Sequence, residues 1–202
     1  TGSIKLASNE NPLGPGPLAR AALAAATAGV GMYPDGSGHV LRARLARKHK
    51  VAIGHVTLGN GSNDVLVLLA GTFLTPEHEA VYSQYAFAVY PIAVQASGAK
   101  GSVAAANPPG HRMPLGHDPA AILAAIGPKT RIVFLANPNN PTGTWLTAPE
   151  LEALIRAIPP EVIIVLDEAY HEYAAEMGVP DGTTLQSQYP NLVVARTFSK
   201  AY

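Results

Sequence analysis

Four stretches of this sequence carry side chains that could do chemistry together, and a fifth could hold an anion beside them. Tyr85 offers an aromatic ring. Asn137-Pro138-Asn139-Asn140-Pro141-Thr142-Gly143 offers amides, Asp167-Glu168-Ala169-Tyr170 a carboxylate and a phenol, and Thr197-Phe198-Ser199-Lys200 an amine among hydroxyls. Gly59-Asn60-Gly61-Ser62-Asn63-Asp64 precedes an apolar helical run, and backbone N–H groups at such a helix start form a ready anion site. The third glycine of a dinucleotide fingerprint is missing, with Asp64 in its place, so a phosphate of mononucleotide type is the better expectation.

Taken singly, each stretch has a plain alternative. Asp167 follows a run of aliphatic residues, so it should be partly buried and in need of a positive partner. That partner could be a structural salt bridge or a helix cap, or it could be a protonated ring nitrogen. Lys200 could be a surface lysine, since lysine is mostly exposed. Tyr85 could belong to the core, and the Asn/Pro stretch could be an ordinary loop.

The elements around these residues argue for the chemistry. Residues 9–17, rich in proline and glycine, read as an arm rather than a helix or central strand. Pro17 suits a first helical turn, and residues 18–27 form an alanine-rich helix ended by Gly29 and Gly31. A second helix covers 40–49, with Leu41 and Leu45 on one face, and a third runs through Leu66, Leu69 and Ala70, capped by Asn63 or its neighbour. Strands at 80–83 and 100–105 flank a helix at 87–96, and Asp118 caps a helix over 118–126. Residues 131–136 and 162–166 are continuous apolar runs, as strands covered on both faces should be, with a helix over 149–158 between them. A last strand covers 191–195. Alternating strands and helices imply right-handed crossovers and a mostly parallel α/β sheet with helices on both faces. In such sheets ligands sit beyond the carboxyl ends of the strands, which is where Tyr85, the Asn/Pro loop, Asp167 and Lys200 fall.

Composition narrows the function classes. Hydrophobic residues make up 48% of the 202 residues and charged residues 14%, which favours a compact fold over a solvated chain. Lys+Arg and Asp+Glu are each 14, so no basic field asks for nucleic acid or an anionic membrane. With no cysteine there is no disulfide framework, thiolate nucleophile or Cys-ligated zinc site. The seven histidines lack metal spacing and read as surface or loop residues, and Ser199 lacks a Gly-x-Ser-x-Gly setting. Residues 1–5 lack the apolar stretch of a secretory signal, and runs such as 162–166 are too short to span a bilayer. A soluble cytoplasmic protein is expected.

The arm Ser-Asn-Glu-Asn-Pro-Leu-Gly-Pro, the Tyr33-Pro34-Asp35 step, GNGSND, NPNNPTG, LDEAY and TFSKAY occur in an order and spacing that resembles the fold type I aminotransferases, closest to their histidinol-phosphate branch. The resemblance runs from about Leu6 to Tyr202. It implies pyridoxal 5'-phosphate (PLP) as cofactor, held as an imine by Lys200, which later shuttles a proton. Asp167 would keep the pyridinium nitrogen protonated, and Asn140 and Tyr170 would hydrogen-bond the phenolic oxygen. Tyr85 would stack on the ring. Gly61, Ser62 and Asn63, with Thr197 and Ser199, would hold the phosphate. Tyr33 would reach the phosphate in the neighbouring subunit, which makes a homodimer necessary.

The resemblance further implies an arm and helix over 1–30 and a PLP-binding large domain over 31–202. The family continues past the lysine to a phosphate-binding arginine and a small domain, whereas this chain stops at Tyr202. A fragment that is inactive by itself is therefore expected. Transamination of L-histidinol phosphate with 2-oxoglutarate, in histidine biosynthesis, is the first reading. An aromatic amino-acid aminotransferase or a related PLP-dependent decarboxylase is the alternative, and a silent PLP-binding module is disfavoured because no helix-turn-helix precedes the motifs.

Overall fold

The computed structural model describes Gly2, Ile4 and residues 8–202. Positions 1, 3 and 5–7 of the expected arm, including the Leu6 at which the resemblance begins, lie outside the described residues. The chain forms two compact units, residues 1–58 with 198–202 and residues 59–197. Among the described residues no helix is long and apolar enough to cross a membrane.

In the first unit, α1 (Pro17–Ala26) starts on proline, whose fixed φ suits a first turn, and buries none of its residues. The helix α2 (His39–His49) is entered through Asp35, whose carboxylate accepts from Ser37 N at 3.0 Å, Ser37 Oγ at 2.7 Å and His39 N at 2.7 Å. Gly38 then takes a left-handed φ of 58°, which favours glycine, and a Cβ there would also displace the tip of the Leu58 side chain. Arg47, Lys48 and His49 fill the last turn of α2, where positive charge opposes the helix dipole.

The second unit is a sheet of five strands, β1 (Glu79–Ser83), β2 (Lys100–Ala104), β3 (Thr130–Ala136), β4 (Ile163–Asp167) and β5 (Leu192–Ala195), in the spatial order β2-β1-β3-β4-β5 with every pair parallel. In chain order come α3 (Gly61–Phe73), β1, α4 (Val89–Ala96), β2, α5 (Pro119–Ala124), β3, α6 (Ala148–Ala157), β4, a short α7 (His171–Ala174) and β5. The chain steps outward from β1 to β2 and then returns across to β3. A crevice therefore opens beyond β1 and β3, the switch point where ligands of such sheets sit.

Strand periodicity sorts the core. Val133 and Leu135 of β3 and Ile164 and Leu166 of β4 pack on one face with Leu151, Leu154 and Ile155 of α6. Ile132, Phe134 and Ala136, with Val165, pack on the other face with Leu66 and Ala70 of α3 and Tyr90 and Ala93 of α4. Both faces are covered, which is why these strands read as unbroken apolar runs. The expected elements are all present to within a few residues at their ends.

Local details differ from expectation. Asn63 lies inside α3 rather than before it, and the N-cap position falls to Asn60, which makes no side-chain cap; Asp64 in the first turn accepts from Asn60 N at 3.0 Å. Asp118 caps α5 as expected, accepting from Ala120 N at 2.9 Å and Ala121 N at 3.2 Å. His117, expected to be a surface or loop residue, lies between β2 and α5 but is 3% exposed, with Nε2 2.8 Å from the Ala136 carbonyl of β3. Burial pushes that imidazole down to about 4, so it stays neutral.

Candidate active site

At the end of β4 the period-two alternation of a strand decides where two neighbouring carboxylates point. Asp167 shares its parity with Val165 and so emerges on the α3/α4 face. It is 5% exposed, with Oδ2 accepting from the Tyr90 hydroxyl at 2.9 Å and Oδ1 from Ala169 N at 3.1 Å. Among the described residues no ion pair reaches it. Burial raises its carboxyl above the usual range, and the two hydrogen bonds pull it partly back.

Glu168 is fully buried and turns the other way. Its Oε1 accepts from Gly182 N at 2.7 Å, and its Oε2 accepts from Arg196 Nε at 2.9 Å and Nη2 at 2.7 Å. The same guanidinium donates to Asp181 at 2.7 Å. Burial outweighs these donors and leaves the Glu168 carboxyl raised, to about 7. Arg196 and this ion pair went unread in the sequence, because nothing in the spacing ties residue 168 to residue 196.

The Asn/Pro loop after β3 separates its three asparagines by role. Asn137 is fully buried, accepting from Leu146 N at 2.8 Å and donating to Leu146 O at 3.3 Å. Asn139 is buried too, and its Nδ2 donates to the Tyr85 carbonyl and to Thr142 Oγ1, both at 2.7 Å. Asn140 is half-buried, and among the described residues its side chain makes no hydrogen bond. Asn139 Oδ1, by contrast, is buried without a hydrogen-bond partner among the described residues, while its amide nitrogen is fully used. Tyr85, after β1, is 39% exposed, and its carbonyl is tied to this loop through Asn139.

Across the sheet, Gly61 opens α3 with a φ of 78°, and a Cβ built on it would lie 3.7 Å from Thr197 Oγ1. The helix start and the Thr197 hydroxyl are therefore neighbours. Ser62 and Asn63 occupy the first turn, where N–H groups have no acceptor within their own helix. Tyr170 follows Asp167 and is half-buried, with its ring 6.5 Å from that of Tyr173.

The second unit thus brings together Gly61, Ser62, Asn63, Tyr85, Asn140, Asp167, Tyr170 and Thr197 at strand ends or a helix start. Tyr33, Ser199 and Lys200 belong to the first unit. Tyr33 is fully exposed, and Lys200 Nζ donates to the Asn9 carbonyl at 3.0 Å. Chemically the second unit offers first-turn N–H donors at the start of α3, the Asp167 carboxylate held by two neutral donors, and the Asn140 amide. Tyr90 went unread, since a tyrosine in an apolar helix looks like core until its partner is seen.

The family model for aminotransferases of class I and II matches residues 1–202. The chain belongs to this family. Among curated relatives, an aminotransferase named histidinol-phosphate aminotransferase 2 from Pseudomonas fluorescens is 53% identical over 199 residues, covering 98% of this chain and 52% of the relative. Histidinol-phosphate aminotransferase 1 from Nitrosococcus oceani is 48% identical, covering 100% of this chain and 53% of its own length. The crystal structure of histidinol-phosphate aminotransferase from Sinorhizobium meliloti in complex with pyridoxal-5'-phosphate superposes with a TM-score of 0.86 at 30% identity, over 96% of this chain and 51% of that one. The chain spans about half the length of the curated relatives it matches.

Proposed function

We propose that this aminotransferase chain is the PLP-binding part of an enzyme that moves the amino group of L-histidinol phosphate to 2-oxoglutarate in histidine biosynthesis. The observation that carries the reading is Asp167, a buried carboxylate at a strand end that faces neutral donors and no cation among the described residues. A buried carboxylate of this kind is matched to a cationic ring nitrogen. The amino donor is inferred from the two relatives at 53% and 48% identity.

Bound PLP supplies an electron sink for the substrate's carbon. In this reading Asp167 accepts the ring N–H and keeps the proton there. Asn140 and Tyr170 hydrogen-bond the phenolic oxygen, and Tyr85 covers the ring. Gly61, Ser62 and Asn63 at the α3 start, with the Thr197 and Ser199 hydroxyls, take the phosphate. Lys200 binds the cofactor through its amine and afterwards carries the substrate's proton. Residues 1–30 act as arm and helix, residues 31–202 as the large domain, and the enzyme works in the cytoplasm, in keeping with its biosynthetic relatives.

A homodimer belongs to the same proposal, with Tyr33 of the partner subunit on the phosphate. It is supported by α1, which buries no residue, and by Leu18, Leu23, Val30 and Met32, which are all exposed apolar groups in need of cover. The test is made on the full-length protein. It should show a visible absorption band that borohydride bleaches, with the reduced label on Lys200 by mass spectrometry, and should turn over L-histidinol phosphate with 2-oxoglutarate. A label elsewhere, or release of carbon dioxide in place of amino transfer, would sink the reading. Mixing inactive Tyr33→Phe and Lys200→Ala subunits should restore activity, because a shared site leaves one intact site per heterodimer. No recovery, with subunit exchange confirmed, would place Tyr33 in its own subunit's service.

A further inference from the structure

We infer that Tyr90 is a positioning residue for Asp167, holding that carboxylate in the plane where it can accept a ring N–H. The inference rests on the proposed PLP chemistry, and it starts from a hydroxyl that no sequence motif singles out.

Tyr90 is fully buried in α4, on the face of the sheet to which parity sends Asp167. Its ring stacks on Phe134 of β3, with centroids 4.9 Å apart and planes 10° from parallel, and the Phe87 ring meets it edge-on at 5.9 Å. Clamped by two rings, the phenol has one direction in which its hydroxyl can point, and that direction ends on Asp167 Oδ2 at 2.9 Å. The other oxygen, Oδ1, is held by Ala169 N at 3.1 Å. One donor on each oxygen fixes the carboxylate plane and leaves its remaining lone pairs for a ligand.

The electrostatics point the same way. Burial raises the Asp167 carboxyl, and the Tyr90 hydrogen bond opposes this. Tyr90 itself is held well above the usual phenol range, by burial first and then by the Asp167 charge, so its hydroxyl remains a donor throughout the working range. Among the described residues, the other titratable group that bears on the pair is Tyr170 after β4. A protonated Asp167 could no longer stabilise a cationic ring nitrogen. Keeping it charged is therefore a separate requirement from placing it.

The test uses the full-length protein and Tyr90→Phe, which keeps the ring, the stacking on Phe134 and the volume while deleting the hydroxyl. Hydrogen bonds to charged groups are among the stronger ones, so the PLP dissociation constant should rise about tenfold and kcat fall by about the same factor. In cofactor-free protein, infrared spectroscopy of the Asp167 carboxyl, identified by its loss in Asp167→Asn, should show protonation beginning about one pH unit higher in Tyr90→Phe. In the Asp167→Asn background the same change should do little further, because Tyr90 acts through that charge. Unaltered Asp167 titration and PLP affinity in Tyr90→Phe would overturn the inference, as would an equal loss in both backgrounds. Failure of the underlying reading is told apart because it appears in the wild type, as absence of PLP binding, and it takes this inference with it. Tyr90→Leu marks the structural contribution, and its loss of melting temperature should not be shared by Tyr90→Phe.

Discussion

Asp167 and Glu168 are adjacent in the chain and occupy opposite surroundings. Glu168 is enclosed with Arg196 and the Gly182 N–H, and Arg196 is shared with Asp181, so its charge is answered within the protein. Asp167 has the Tyr90 hydroxyl and one backbone N–H, both neutral. The two residues are almost equally buried, at 5% and 0% exposure, so burial cannot be what separates them. What separates them is the charge of the facing group, and strand parity decides which group each one faces. Breaking a closed buried ion pair is costly to the fold, whereas under the proposed function Asp167 would meet its cation in the ligand.

The sharpest way to break this contrast is to neutralise each carboxylate in turn. Asp167→Asn should lower turnover by about a thousandfold, the scale seen when a preorganised charge is deleted, with the melting temperature unchanged or slightly higher. Glu168→Gln should do the reverse. Leaving the part-buried Arg196 short of a charge should remove about 3 kcal/mol of stability in chemical denaturation at pH 8, where Glu168 is ionised, with a much smaller effect on turnover by the folded fraction. If the two variants exchanged these phenotypes, the assignment of roles along β4 would be reversed.

Acid titration would blur the contrast unless His117 is separated from it. Its folded-state value is about 4 against 6.5 in a free chain, so between those limits the unfolded state binds the extra proton. The stability that neutral His117 contributes is therefore complete above pH 6.5 and is lost as pH falls toward 4, by up to about 3 kcal/mol. His117→Gln keeps a donor for the Ala136 carbonyl but cannot titrate. The stability of wild type relative to this variant should fall steadily as pH drops through that window, and a constant difference would show that the imidazole does not titrate there. The smallest effect is expected from Tyr170→Phe, which deletes one hydrogen bond worth about 1 kcal/mol and should slow turnover severalfold. A loss larger than that of Asp167→Asn would mean that the phenol, and not the carboxylate, carries the electronics.

Much of this architecture was legible because each element announced itself locally. The continuous apolar runs of β3 and β4 marked a sheet covered on both sides, and Asp118 and the helical patterns set the element borders. The residues at the strand ends could be named for the same reason, since polar groups directly after aliphatic runs have few structural explanations. What the sequence hid was every partnership between distant residues. Tyr90 meets Asp167 across 77 positions and Arg196 meets Glu168 across 28, and neither spacing has a local signature. The salt bridge considered for Asp167 exists one residue further on. His117 was missed because a histidine in a Pro/Gly loop gives no sign that its ring meets a strand carbonyl.

The bond from Asn139 Nδ2 to the Tyr85 carbonyl has a thermodynamic consequence. It ties the segment after β1 to the loop after β3 across the switch-point crevice, and Thr142 braces the same amide. Ordering a floppy segment on ligand arrival costs about 0.5–1.5 kcal/mol for each side chain immobilised, and a segment already fixed by folding escapes that loss. The tie thus shifts an entropic cost from the binding event to the folding event. Any planar ligand entering the crevice would meet a Tyr85 backbone set in advance, so that contact area there converts into affinity with little reorganisation.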